Sequence, residues 1–107
     1  MTMDKHYQDG PWYVFSQGRR EFLKLARVNY GRYKQIPVGA YYTRWKPGME
    51  KAMAFKNPST AKYRARQLNE QDVKLMCRAV DTRTARVIME VIEREKAESL
   101  NGKVFQT

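Results

Sequence analysis

Cysteine and histidine are almost absent from this sequence, which has Cys77 and His6 as its single examples in 107 residues. One cysteine cannot form a disulfide within the chain, and together with one histidine it cannot assemble a zinc cluster. Glycine and proline are scarce too, with 6 and 4 residues. A composition of 42% hydrophobic and 30% charged residues predicts a globular chain that folds without disulfides or structural metal.

Long hydrophobic runs are also missing. The first ten residues, MTMDKHYQDG, hold no apolar core of a signal peptide, and no segment reaches the roughly 20 apolar residues of a membrane-spanning helix. We therefore expect a cytoplasmic protein without a membrane partner. The length predicts a single domain over residues 1–107, with flexible termini at 1–11 and 101–107.

Acidic residues are scarce in the first part of the chain. Residues 1–66 carry 14 Lys and Arg against 4 Asp and Glu, whereas residues 67–107 carry 7 against 7. The whole net charge of +10 therefore lies in the first segment. A polyanion, or a protein that handles one, would be attracted to that segment, and general solubility is the alternative explanation of the charge.

Catalytic motifs are absent as well. The sequence shows no nucleophile with a base, no paired carboxylates and no phosphate-binding glycine motif. Cys77 falls on the apolar side of a predicted strand and is expected in the core. The acids of the basic segment are scattered: Asp4, Asp9, Glu21 and Glu50. We expect a non-enzymatic protein with no cofactor and no metal, and a motif-poor nuclease-like enzyme is the minor alternative.

The first half of the chain has the pattern of three strands. Residues 12–16 (WYVFS) and 20–28 (REFLKLARV) are rich in aromatic and β-branched side chains, and the QGRR between them predicts a hairpin. Residues 40–46 (AYYTRWK) form a third strand that ends at a Pro-Gly turn. Alternation predicts that Leu23 and Leu25 share one face of the second strand.

A helix follows the three strands. The Asn57-Pro58 pair is a good helix start, and Ala61, Ala65 and Leu68 form a stripe that can pack on the sheet. Residues 73–80 (VKLMCRAV) then alternate as a half-buried strand does.

The segment after residue 80 is ambiguous. Residues 85–91 (ARVIMEV) are β-rich, and residues 81–84 fit a hairpin turn. The alternative is one long helix that begins after a threonine cap, with an apolar stripe formed by Val87, Ile88, Val91 and Ile92. We favour a strand over 85–91 and a helix over 92–100. The prediction is thus an α+β fold of order β-β-β-α-β-β-α, an antiparallel sheet of about five strands with one or two helices packed on one face.

The middle of the chain resembles a group of small proteins of bacteriophages and other mobile elements. In these proteins a β-meander is followed by an A-x-x-F segment, a helix with spaced alanines and a closing strand or hairpin. The positions that match are Ala52, Phe55, Ala61, Ala65 and Leu68. The resemblance covers roughly residues 12–90 and implies an accessory protein that acts on host or rival machinery, in the bacterial host cytosol if phage-encoded.

The expected closing hairpin resembles the V-D-x-x-T-G-x-V pattern of many small sheets. Residues 80–87 (VDTRTARV) follow it except that Ala85 stands where glycine is usual. A residue with a Cβ atom is disfavoured at positive φ, so this turn type conflicts with the sequence.

The stretch from residue 29 to 45, NYGRYKQIPVGAYYTRW, holds five aromatic rings, three basic side chains and no acid. Nucleic-acid binding needs cations along a backbone path and flat rings on which bases can stack, and this stretch has both. Alternation places Tyr41 and Trp45 in the core. On the other face of the third strand it predicts a solvent strip, which Phe22 and Lys24 of the neighbouring strand would join and which consists of Tyr42, Arg44 and Lys46. For Tyr30 and Tyr33, covering an open end of the sheet is as consistent as stacking on a base.

Two functional hypotheses use this surface. The favoured one, from the resemblance, is a non-enzymatic accessory protein that binds and modulates or inhibits a host or defence protein handling nucleic acid. The alternative is a direct DNA- or RNA-binding protein with weak sequence preference. Lys62 and Arg66, on the helix exterior, need not share the site. The predicted contact residues for nucleic acid or partner are Arg19, Arg20, Lys24, Tyr30, Arg32, Tyr33, Lys34, Tyr42, Arg44 and Lys46.

Overall fold

The structure is a computed structural model that describes residues 10–105, with side chains described to residue 99. Its sheet has four antiparallel strands in the order β3-β2-β1-β4, so that β3 and β4 are the edges. The α+β class and the antiparallel sheet are confirmed. The elements along the chain are β1 (Trp12–Ser16), β2 (Glu21–Val28), β3 (Tyr41–Lys46), helix α1 (Pro58–Gln71), a short 3-10 helix (Val73–Leu75), β4 (Cys77–Asp81) and helix α2 (Thr82–Phe105).

A β-bulge changes which side chains of β2 face the core. The register between β2 and β3 shifts between Leu23 and Leu25, so Lys24 is the additional residue. Because a bulge offsets the alternation by one position, Ala26 rather than Leu25 joins Leu23 in the core on the α1 side. The predicted common face of Leu23 and Leu25 is therefore wrong.

Helix α1 covers one face of the sheet. The predicted stripe is confirmed, since Ala61, Ala65 and Leu68 are buried against a cluster that includes Val14 and Leu23. Small alanine side chains let the helix approach the strands closely, so the packing is tight with little side-chain volume.

Helix α2 covers the other face, so the prediction of helices on one face is wrong. Its Ala85 is fully buried in a second cluster with Tyr13, Phe15 and Phe22 from the strands. Ile88, Met89 and Ile92 pack against the same cluster. Val87 and Val91 point away and are 53% and 42% exposed, so only half of the apolar stripe faces the sheet.

The predicted hairpin at 81–84, strand over 85–91 and separate helix over 92–100 are also wrong, and the sheet has four strands instead of about five. The Asp81 carboxylate accepts a hydrogen bond of 2.7 Å from the Thr84 N–H, which starts α2 directly after β4. Side chains of Asp accept from the free N–H groups of a first helical turn in this way. The helix then needs no positive φ at Ala85.

The predicted strand over 73–80 is shorter than expected. Asp72 caps a 3-10 turn by accepting the Lys74 N–H at 3.0 Å, and Met76 adopts left-handed φ of 47°. The β1–β2 hairpin packs on this turn, because the Gly18 N–H donates to Leu75 O at 3.0 Å.

The chain ends are described in part. Residues 1–9, which include His6, and residues 106–107 lie outside the described residues, and with them those parts of the predicted flexible termini 1–11 and 101–107. Residues 101–105 belong to the backbone of α2. In the described part of the chain, neither helix is long and apolar enough to cross a membrane.

Candidate nucleic-acid interface

Asn29 organises the connection between β2 and β3. Its buried side chain uses all of its donors and both acceptor positions within the loop. The amide nitrogen donates to Tyr33 O at 2.9 Å and to Ile36 O at 2.6 Å. The amide oxygen accepts the N–H groups of Gly31 at 3.0 Å and Tyr33 at 3.1 Å. One side chain thus ties the first half of a twelve-residue connection to the end of β2.

The backbone closes the same loop. The Asn29 N–H donates to Ala40 O at 2.8 Å, and the Gly39 N–H donates back to Asn29 O at 2.8 Å. Gly31 and Gly39 adopt φ of 108° and 90°, which side chains with a Cβ rarely tolerate. The loop is therefore a defined structure that presents its side chains from fixed positions.

The ring of Tyr33 stacks on the ring of Tyr42, which lies on β3. Their centroids are 4.2 Å apart and the planes differ by 11°. The Arg44 Nε–H donates to the Tyr42 hydroxyl at 3.0 Å, and this hydrogen bond raises the pKa of Arg44. The loop is thus joined to β3 by the stacked rings of Tyr33 and Tyr42, and the Tyr42 hydroxyl holds the guanidinium of Arg44 beside them.

Arg27 lies opposite Tyr42 in the register of β2 and β3, so both point to the same side of the sheet. That side is the one covered by α2, which packs on β1 and β4 and leaves these ends of β2 and β3 open. A pocket of about 440 Å³ lies here, lined by Arg27, Val28, Tyr30, Arg32 and Tyr33. The ring of Tyr30 is 85% exposed.

We call these residues the loop face: Arg27, Tyr30, Arg32, Tyr33, Lys34, Tyr42 and Arg44. Residues 22–49 contain no Asp or Glu. In the described part of the chain, ion pairs join Arg19 to Glu21 and Arg20 to Glu95, and neither pair involves the loop face. Its cations are therefore free to attract an anionic ligand.

Five of the ten predicted contact residues come together on the loop face through the pocket, the ring pair or the hydrogen bond to Tyr42: Tyr30, Arg32, Tyr33, Tyr42 and Arg44. A sixth, Lys34, is exposed and follows Tyr33 in the same loop. Of the other four, Arg19 and Arg20 lie at the β1–β2 hairpin, about 20 Å from Arg27 at roughly 3.3 Å per residue. Lys24 and Lys46 lie nearer, and Lys46 is two residues beyond Arg44 on the same face of β3. Phe22, which was expected in the solvent strip, is fully buried under α2, so that expectation is wrong. Lys46 lies opposite Phe22, and Lys24 lies at the bulge.

The two hairpin arginines have partners of their own. The guanidinium of Arg19 lies 5.8 Å from the Trp45 ring centroid and pairs with Glu21 at 3.2 Å. Arg20 pairs with Glu95 of α2. Because these two ion pairs use their charges within the chain, neither arginine extends the loop face.

The rings predicted to be in the core do pack there. Tyr41 and Trp45 are half-buried against the cluster under α1. The Tyr41 hydroxyl donates to Gln67 Oε1 at 2.7 Å, and the Arg64 guanidinium lies 4.7 Å from the Tyr41 ring centroid. The Trp45 indole N–H donates to the Thr43 hydroxyl at 3.0 Å. These contacts fix β3 from the side opposite the loop face.

Sequence reasoning missed two residues of the site. Arg27 was overlooked because the bulge at Lys24 reverses the alternation after it. Asn29 carried one usable signal, the Asn-x-Gly spacing, since Asn side chains often bond to the backbone two residues ahead.

Among residues whose side chains are described, no group of three metal-ligating side chains comes together. Comparisons with protein-family models, curated proteins and solved structures found no match. The interpretation of the loop face therefore rests on its own geometry.

Proposed function

We propose that the loop face binds single-stranded nucleic acid, DNA or RNA, with weak sequence preference. The observation that carries the proposal is the exposed ring of Tyr30 between Arg27 and Arg32, around one pocket. A nucleotide offers a flat base and an anionic phosphate at short range. A ring and two guanidinium groups at the same pocket complement both parts.

Rigidity supports this proposal. Asn29 holds the loop through four hydrogen bonds, and the Tyr42 hydroxyl holds Arg44. Groups that are already ordered lose less conformational entropy when a ligand binds. The loop face would therefore bind without first being reorganised.

A single strand fits the loop face better than a duplex does. Stacking on an aromatic side chain requires an unpaired base, whose face is accessible. Every base has such a face, so stacking is tolerant of sequence. The guanidinium groups add attraction to phosphates that carries no sequence information. Base stacking and attraction to phosphates therefore both predict weak sequence preference.

Binding of a fluorescein-labelled 12-mer of deoxythymidine, followed by anisotropy, tests the proposal. Tyr30→Ala should weaken binding about tenfold, because a base stacked on a ring contributes roughly 1–3 kcal/mol. Tyr63→Ala is the matched control, since Tyr63 is also exposed, at 56%, but lies on α1. Equal affinity of Tyr30→Ala and wild type, or a duplex that binds as tightly as the single strand, would contradict the proposal.

The accessory-protein hypothesis predicts a different outcome for the same loop face. A protein that docks on a nucleic-acid-handling partner should bind the bare 12-mer weakly. It should also retain that partner from a nuclease-treated bacterial lysate, and lose it when Arg32 and Lys34 are both replaced by Gln. This hypothesis stays a prediction from the resemblance.

A further inference from the structure

The outer edge of β4 lies at the opposite side of the sheet from the loop face. Between this edge and α1 is a groove of about 520 Å³. Its residues are Lys62, Ala65, Arg66, Asn69, Glu70, Cys77, Arg78 and Ala79. Ala65, Cys77 and Ala79 give the groove small apolar walls, and no aromatic side chain lines it.

Asn69 already occupies one position of the β4 edge. Its amide nitrogen donates to Cys77 O at 2.9 Å, and its amide oxygen accepts the Cys77 N–H at 2.6 Å. This is the donor and acceptor pair that a neighbouring strand would supply. The side chain of Asn69 therefore imitates one residue of an added strand.

At the next edge position, Ala79, the structure gives no hydrogen-bond partner on the outer side among the residues that it describes. The Gln17 N–H donates to Met76 O across the β1–β4 ladder, at 3.2 Å. In an antiparallel ladder such pairs alternate with pairs whose main-chain groups point outward. The main-chain N–H and C=O of Cys77 point outward, in agreement with their bonds to Asn69. Two residues later, the N–H and C=O of Ala79 point outward as well.

The rim of the groove is positive. Lys62 and Arg66 stand on α1, one turn apart, and Arg78 is exposed on β4. None of the three has an ion-pair partner among the side chains that the structure describes. Glu70 is the single acid of the lining, so the rim attracts a negatively charged segment.

We propose that a short, extended, acidic peptide segment of a partner protein adds to the β4 edge in this groove. Its backbone pairs with the N–H and C=O of Ala79, and its acidic side chains on the α1 side meet Lys62 and Arg66. Arg78, on the other face of β4, adds to the positive charge of the rim. Strand addition of this kind takes affinity from main-chain hydrogen bonds and specificity from the groove.

Two other occupants fit the groove less well. A DNA backbone has no N–H group to donate to Ala79 O, and the groove has no ring on which a base could stack. A second copy of this chain would bring Arg78 near its own equivalent, and like charges at an interface oppose association.

The probe is an octapeptide of alternating Glu and Val with blocked ends. We expect it to shift the amide signal of Ala79 in the heteronuclear NMR spectrum and to slow hydrogen exchange of that amide. The inward amides of Arg78 and Val80, which pair with β1, should change little. Methylation of the peptide's central backbone nitrogens should weaken binding roughly tenfold, because main-chain hydrogen bonds are lost.

Charge reversal on α1 is the second test of the peptide-binding proposal. The double variant Lys62→Glu and Arg66→Glu should lose binding of the Glu-Val peptide and keep binding of the oligonucleotide at the loop face, because both residues are exposed and outside that face. The inference is overturned if the Ala79 amide does not respond to the Glu-Val peptide, or if a Lys-Val peptide binds as tightly as the Glu-Val peptide. It is also overturned if the deoxythymidine 12-mer perturbs the same amides. The first two results leave the loop-face proposal untouched, and its own test, Tyr30→Ala, is independent of all three.

Discussion

Replacement of Asn29 by Asp tests how the loop face is held. The variant has nearly the same shape and keeps the two bonds accepted from Gly31 and Tyr33. It loses both donated bonds and sets a carboxylate oxygen against the carbonyls of Tyr33 and Ile36, at the sites of the present 2.9 and 2.6 Å contacts.

The expected loss of stability is about 2–4 kcal/mol. Each lost hydrogen bond accounts for about 1 kcal/mol, and two buried acceptors facing a carboxylate add about as much again. In a domain of this size, 1 kcal/mol shifts Tm by about 4 °C, so the melting temperature should fall by roughly 8–16 °C.

The effect should also depend on pH. Burial and the two carbonyls favour the neutral form of the introduced carboxyl, so its pKa in the folded state is raised above the unfolded value. A raised folded pKa adds stability at low pH and removes it as the pH rises. The Asn29→Asp variant should therefore lie closer to wild type at pH 4 than at pH 7.

Thermal and urea unfolding followed by circular dichroism measure both effects. Asn57→Asp is the matched control, because Asn57 is exposed and its side chain makes no capping hydrogen bond. Below its melting temperature, Asn29→Asp should also bind the 12-mer more weakly than the control does. A Tm equal to that of wild type at pH 7 would refute the role assigned to Asn29.

Three further predictions concern the core and its contacts. Ala65→Asp should unfold the domain, because residue 65 is 4% exposed and an unpaired charge there costs several kcal/mol; a wild-type melting curve would contradict the orientation of α1. Gly18→Ala should lower the free energy of unfolding by about 1–3 kcal/mol in urea titration, since its Cβ would lie 2.0 Å from Lys74 O, a backbone atom; an unchanged midpoint would show that the hairpin does not pack there. Burial, and then the charge of Asp72, raise the pKa of the Cys77 thiol to about 12. At pH 8 the native protein should therefore react with Ellman's reagent far more slowly than the urea-unfolded chain does. Equal rates would refute the burial of Cys77.

Local patterns were sufficient for several elements. The β-rich run at 12–16 and the stripe of Ala61, Ala65 and Leu68 could be predicted because each depends on spacing within one element. The segment 85–91 could not, since its β-branched residues fit a strand as well as a helix. The cap from Asp81, and the apolar face of the sheet that α2 covers, favour the helix.

The loop residues of the site could be predicted from the sequence, whereas the strand and hairpin residues that belong to the site or lie outside it could not. Tyr30 and Arg32 stand out by residue type alone. Arg27 depends on a bulge that no local pattern indicated. Arg20 is neutralised by Glu95, 75 residues away along the chain, and a pairing at that separation appears only in the folded structure.

The salt dependence of oligonucleotide binding tests the central claim, that the loop face binds single-stranded nucleic acid through its cations, most directly. The logarithm of the association constant for the deoxythymidine 12-mer should fall linearly with the logarithm of salt concentration. For the double variant Arg27→Gln and Arg32→Gln the slope should be shallower by about 1.4, because each lost phosphate contact removes about 0.7. Identical slopes for wild type and variant, or binding that does not depend on salt, would contradict the account.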